Sequence, residues 1–362
     1  MKTIHNDLSQ RKVYIDFLRI FSIFLVIFNH TGNNGFWLFS LRRDSPFFAF
    51  YLFLSVFCKV AVPIYFMISG AILLGKEEPL AAIVKKRVFK YAGILFVVSL
   101  INCVFLNKDM TLVSFLKAVY STQVTGGLWF LYQYLSFLLA LPLLRKLVKT
   151  MEAKDYLWLT GTALLFSGLR MVDLLLFDNG LSYNSNFHSP FLGLIVYYPL
   201  MGYFLANKVT IESVSKRSIL VCLAASAISI FLCGWMTCMW CNHLGEWQEM
   251  TGQDFLGYLI FVPVCFIFLL TRYVFSKIQI TPTLAKVITF LSSSTFGIYL
   301  FEELYRWHTM PVFTKAVKYL PTIVACALWV LSTFLLGLFV TQVWKFIVKN
   351  IRRLLNRESR SQ

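Results

Sequence analysis

Apolar stretches long enough to cross a bilayer recur from one end of this chain to the other, and that recurrence restricts the fold more than any other feature. A backbone in hydrocarbon has no water to bond, so it must satisfy its amides and carbonyls internally, as a helix or a closed barrel. The runs here are continuous rather than alternating, which selects helices. Hydropathy predicts ten spans near 13–31, 57–75, 89–106, 126–144, 156–177, 190–207, 218–240, 254–275, 286–305 and 322–348. The expected fold class is an all-α integral membrane bundle of about ten transmembrane helices. Phe47–Phe57 is apolar but short, and reads as an interfacial or re-entrant lead into the second span. At 58% hydrophobic and 14% charged residues, a soluble domain is excluded. A net charge of +17 in a soluble protein would suggest nucleic acid. Here basic loops beside anionic lipid account for it, and no nucleic-acid partner is expected.

The basic residues orient the bundle. With the N-terminus in the cytoplasm, the cytoplasmic segments hold 24 Lys and Arg and the opposite side holds 8. A threefold bias that alternates correctly through ten spans predicts cytoplasmic N- and C-termini. The chain then divides into an N-terminal tail over 1–12, a transmembrane domain over 13–348 and a basic tail over 349–362, read as a surface-bound helix. No internal repeat is visible, and no small-residue cleavage site follows the first run.

Depth sorts the polar residues. The run Tyr14–His30 carries two residues foreign to lipid, Arg19 and His30. Eleven residues bring an α-helix back to within 20° of its starting azimuth, so both lie on one face, roughly 16 Å apart. Asp16 joins that face. A charged or titratable group inside a span faces protein and has a partner when it persists; the simpler alternative is a snorkelling Arg and an interfacial His. At the cytoplasmic level, Lys86, Arg87 and Lys90 form a cationic station suited to phosphates, or else an ordinary positive-inside cluster. At the opposite level stand Asn29 beside His30, Trp129 and Tyr132 opening the fourth span, Glu302 and Glu303 ending the ninth, and His188. A His beside a carboxylate is the usual form of a general base. Arg170 and Asp173 read as a structural pair, Gly126-Gly127 as a loop-to-helix transition, and Ser69-Gly70 as a close helix contact. Cys238-x-x-Cys241-x-His243 has metal-like or redox-like spacing at a helix end where packing suffices, and no metal site is assigned.

Five segments together resemble the multi-spanning acyltransferase family 3, which includes O-antigen and enterobacterial common antigen acetyltransferases. They are Arg19-x10-His30; "VPIYFMISGAILL" (Val62–Leu74); the basic "KKRVFKY" that follows; "GGLWFLYQYLSFLLALPLL" (Gly126–Leu144); and "SSSTFGIYLFEELY" (Ser292–Tyr305). "YYPLMGYFL" (Tyr197–Leu205) also fits. Their order and spacing cover nearly the whole chain. Two departures stand out. Glu302-Glu303 stands where many relatives carry His, and Arg87-x-x-Lys90 replaces Arg-x-x-Arg. The resemblance implies a multi-pass protein of the bacterial cytoplasmic (inner) membrane. It implies a membrane-bound O-acyltransferase, most simply an O-acetyltransferase, that carries an acyl group from cytoplasmic acyl-CoA to a hydroxyl of a cell-surface or lipid-linked glycan. Acyl-CoA is then a co-substrate, and no bound cofactor is expected. On this reading Lys86, Arg87 and Lys90 hold the donor's phosphates, and His30 is the base. Arg19 binds phosphate or meets developing charge. Glu302 or Glu303 tunes His30 or binds sugar, Trp129 stacks on sugar, and Asn29 and Tyr132 support the acceptor. Ten spans with buried polar residues are also what a glycan transporter or flippase needs, or a non-catalytic assembly scaffold. The absence of matching glycine-broken halves argues against transport.

Overall fold

A computed structural model describes residues 12–106, 109–177, 184, 186–244 and 259–358. It is 82% helical, with no strand among the described residues. The main helices are α1 (Val13–Asn29), α2 (Phe48–Cys58), α3 (Ala61–Leu73), α4 (Leu80–Phe105), α5 (Leu112–Ser121), α6 (Trp129–Thr150), α7 (Ala153–Phe177), α8 (Tyr197–Tyr203), α9 (Lys216–Leu244), α10 (Phe261–Lys277), α11 (Pro282–Ser292), α12 (Thr295–Tyr305), α13 (Met310–Ala316) and α14 (Thr322–Glu358).

The molecule is a multi-pass membrane protein, but its spans differ from ten equal helices. Among the described residues, six helices are long and apolar enough to cross on their own, and a bent pair of helices makes a seventh where it acts as one. The reasons are local. Helices α1 and α10 have 17 residues each, about 26 Å at the α-helical rise, just short of a full crossing. The sixth expected span shrinks to α8 and one π turn over Phe204–Lys208, because Pro190 and Gly193 leave the stretch before it in turns. The ninth is bent by 46° where Ser292-Ser293-Ser294 joins α11 to α12. There the Ser293 hydroxyl donates to the Phe290 carbonyl, a back-bond that competes with the helix ladder. Two spans begin earlier than hydropathy suggests. Lys59 and Val60 keep helical dihedrals, so α2 runs on into α3 as one 26-residue crossing rather than a lead-in. Helix α4 starts at Leu80 behind an extended Pro79. This carries Lys85, Lys86, Arg87 and Lys90 inside the helix, the first three within a π turn over Val84–Val88. The basic tail is no separate helix over its described part. It continues α14 to Glu358, since no Gly or Pro interrupts that stretch.

Helix α1 is the axis. It packs against α2, α3, α10, α11, α12 and α14, so its polar face meets protein rather than lipid. The tightest crossing lies beside it, between α3 and α8. A Cβ on Gly70 would overlap the Pro199 carbonyl, and a Cβ on Gly202 would overlap that of Met67. The two backbones touch because both positions are glycine, the small-residue packing that replaces hydrophobic drive between membrane helices. Neither carbonyl can yield without moving its helix. Gly202→Leu is therefore expected to separate α8 from α3. Thermal unfolding in detergent reads this as a midpoint lowered by several degrees, whereas Gly161→Leu, whose Cβ site is open, stays near wild type.

Candidate active site

A cavity of about 530 Å³ runs beside α1 and joins the two polar stations. Helix α1 lines it with Arg19, Ile23, Val26 and His30, residues spaced by three or four on one face. Helix α3 supplies the opposite wall from Ala61 through Tyr65 and Ser69 to Leu73. The basic end has Arg19, Arg87 and Ser293; the far end has His30, Asn29, Lys59 and Trp129. Between them the wall is aromatic: Phe130 stacks on Tyr134 at 6.1 Å, and Tyr299 meets Phe130 edge-on at 5.4 Å. A largely apolar cavity with basic residues toward both ends suits a long ligand with a polar head.

At the far end, His30 caps α1 and pairs across to α12. Its Nδ1 lies 2.8 Å from Glu302 Oε2, and Glu302 Oε1 accepts from Arg306 Nη1 at 3.1 Å, one helical turn on. The Glu302 side chain is only 5% exposed, so this carboxylate is committed to its two partners. Ionised, it accepts Nδ1–H of His30, and Nε2 is left as the imidazole's free acceptor. Helix α14 braces the turn beyond. Buried Trp329 donates to Thr309 Oγ1 at 2.9 Å, and Thr309 bonds Thr333 at 2.7 Å. The Asn29 Oδ1 atom is buried in the same region without a hydrogen-bond partner.

At the basic end, Arg19 Nη1 binds Asp16 at 3.0 Å, one turn back along α1 and away from His30. Asp16 also accepts from Ser292 at 2.7 Å, which ties α1 to the broken helix. The Tyr65 hydroxyl donates to the Arg19 carbonyl at 3.0 Å. Arg87 is gripped in a fork by Glu78, at 3.0 and 2.6 Å, and Arg145 reaches the same carboxylate at 2.8 Å while its Nε holds the Leu73 carbonyl.

The geometry thus gathers some of the expected residues and leaves others apart. Arg19, Asn29, His30, Arg87 and Trp129 line the cavity, and Glu302 reaches it through His30. Lys86 and Lys90 are exposed and lie outside its lining; Arg87 belongs to the π turn and Lys90 follows it. Tyr132 is outside too, its hydroxyl bonded to the Val119 carbonyl of α5 at 2.6 Å. Glu303 sits half-buried beside Gly127. His188 is exposed in a connecting segment, and Asp173 is buried on α7. Cys238 and Cys241 form no disulfide, the His243 side chain lies outside the described residues, and no cluster of three metal-ligating side chains occurs among the described residues. The sequence reading missed Arg306, Glu78, Arg145 and Lys59. Arg306 carried a signal, since it stands four residues after Glu302 on one helix face.

Glu78 lies in the loop ahead of α4, outside the spans. Hydrogen bonds from Arg87 and then Arg145 hold its carboxyl down at about 2. A folded-state value below the unfolded one of about 4.3 gives stability that is present above the latter and is lost as pH falls through the former. Glu78→Gln is expected to unfold earlier than wild type at neutral pH, the gap closing as pH falls from about 5 to about 2. A gap that does not change with pH would contradict the assignment.

The family model described as an acyltransferase domain matches residues 12–348, nearly the whole chain. No curated protein and no solved structure matches it.

Proposed function

The chain belongs to the acyltransferase domain family and is a membrane acyltransferase; from that premise we propose that it moves a short acyl group from cytoplasmic acyl-CoA to a hydroxyl of a surface or lipid-linked glycan. One observation carries this reading: a single cavity joins a cationic end, with Arg19 and Arg87, to a His–Glu pair roughly 16 Å along α1. A phosphate-bearing head at one end and a thioester at the other match that spacing. The pantetheine arm lies between the aromatic walls.

At the far end His30 Nε2 takes the proton of the acceptor hydroxyl. The freed oxygen attacks the thioester carbonyl, and the tetrahedral adduct collapses with loss of the CoA thiolate, which takes the proton back from the imidazolium. The products are the O-acyl ester and CoA. Glu302 holds the imidazole in the required tautomer and balances the charge it gains, while Arg306 holds Glu302. Lys59 and Asn29 are the polar groups at this end that can meet the oxyanion. Arg19 is turned toward Asp16 at the other end, so its part is with the donor head, not the reacting carbonyl. Trp129 offers a ring face for the sugar. Membranes containing the protein, supplied with acyl-labelled acetyl-CoA and a glycan acceptor, are expected to form labelled ester; movement of glycan across the bilayer without modification would favour a transporter instead.

A further inference from the structure

The acyl-CoA reading brings the donor's head to the Arg19 end without naming the cations that hold its nucleotide phosphates. Arg87, the best phosphate fork in the basic motif, already grips a carboxylate with two of its nitrogens, and Lys86 and Lys90 are exposed and not among the residues lining the cavity. Unbalanced positive charge at this end lies on the other side of Arg19. There a second chamber, also about 530 Å³, is lined by Lys12, Asp16, Arg19, Lys76 and Asn207. It shares Arg19 and Ile72 with the first cavity, so the two adjoin at the Arg19 side chain.

The charges of this chamber do not cancel. Asp16 is the carboxylate in its wall, and it is bound to Arg19 and to Ser292. Lys12 and Lys76 remain, and Arg272 stands behind Lys12. The Arg272 Nη1 donates to the carbonyls of Leu205 and Val209, dipoles that leave its unit charge in place. Burial, and after it the field of Arg272, draw the Lys12 ammonium below its ordinary range, as expected where cations crowd. Lys12 is nonetheless held at the rim. Its Nζ donates to Asn207 Oδ1 at 3.0 Å, and Asn207 Nδ2 is anchored to the Ala71 and Tyr203 carbonyls, each at 3.2 Å. Asn207 sits in the π turn Phe204–Lys208, as Arg87 sits in Val84–Val88. Such turns recur at functional sites because they re-aim one residue without ending the helix.

We propose that this second chamber binds the phosphate groups of the donor's nucleotide end, with Lys12 and Lys76 as the phosphate-binding cations, Asn207 positioning Lys12, and Arg19, paired with Asp16, at the junction of the two chambers. Arg19 stands at the junction, so a donor with its head in one chamber and its arm in the other passes directly by it. The lysines act as compact charges with three donors each, matched to phosphate oxygens.

The proposal rests on the acyl-CoA reading, and its test separates the two. The probes are CoA and adenosine 3′,5′-bisphosphate, the nucleotide end without the arm, titrated calorimetrically against full-length protein in zwitterionic nanodiscs. Wild type is expected to bind both, with affinity falling as salt rises. Lys12→Gln and Lys76→Gln are each expected to weaken both ligands about tenfold, the loss of one charge-assisted hydrogen bond. Each is also expected to raise the donor KM by the same factor, and Lys12→Arg and Lys76→Arg to restore it. Unchanged thermal unfolding in the Gln variants would show that the fold is kept. A wild type that transfers acyl groups while both Gln variants keep its donor KM overturns the chamber assignment alone. Bisphosphate that fails to bind, with the lysine variants losing affinity only in nanodiscs containing anionic lipid, assigns the chamber to lipid headgroups and overturns it as well. A wild type that binds no CoA overturns the acyl-CoA reading, and the chamber assignment with it.

Discussion

His30→Ala is expected to lower acyl transfer by about 10²–10⁴-fold, the usual worth of a positioned general base, while leaving donor binding intact. The structure separates those effects. His30 closes α1 through its backbone amide, which bonds the Val26 and Ile27 carbonyls at 3.2 and 3.1 Å, and alanine makes the same bonds. Its side chain lines the cavity and is 25% exposed, so truncation opens space without stranding a buried donor. Glu302 keeps Arg306 as its counter-charge. The donor head lies roughly 16 Å away on this reading, past the aromatic walls, and does not sense the change. The measurement pairs acyl transfer in membranes with CoA titration of the purified variant. Transfer within tenfold of wild type would remove His30 from the chemistry. Lost transfer together with lost CoA binding would mean misfolding and would call for His30→Gln.

Part of this arrangement is legible in the sequence, and the limits follow from what periodicity encodes. Arg19 and His30 could be placed on one face because both lie on one unbroken helix, where eleven residues return nearly to the starting azimuth. The carboxylate partner could be narrowed to Glu302 or Glu303 but not chosen. Neighbours on a helix differ by about 100°, and only the packing of α12 against α1 selects Glu302. Contacts between distant loops and helices left no trace: Glu78 joins Arg87 and Arg145 across 9 and 67 residues. The π turns carried no signal either. For the fold, hydropathy found nearly every apolar stretch but treated each as a straight crossing. It could not see a serine run bend α11 into α12, or a short helix held by glycine contacts.

Glu302→Gln is expected to cut transfer by about 10²–10⁴-fold, close to the loss of His30 itself, although size and shape are kept. The carboxylate can only accept, so it fixes the imidazole with its proton on Nδ1 and its lone pair on Nε2. An amide can instead turn its NH2 toward His30. Nδ1 then becomes the acceptor, and Nε2, the nitrogen facing the hydroxyl, carries the proton and cannot take another. Nor does the amide offset the imidazolium that forms in the transition state. The loss should therefore fall on kcat, with the donor KM near wild type, since the donor head is bound at the other end of the cavity. Glu302→Asp retains the charge but retracts it by one methylene from contacts of 2.8 and 3.1 Å, and an intermediate rate is expected. The neighbouring carboxylate supplies the control. Glu303 is half-buried beside Gly127, and Glu303→Gln removes the same charge from the adjacent residue. If both glutamine variants fall equally, bulk negative charge near the histidine is what matters. If only Glu302→Gln falls, the orienting hydrogen bond is the cause.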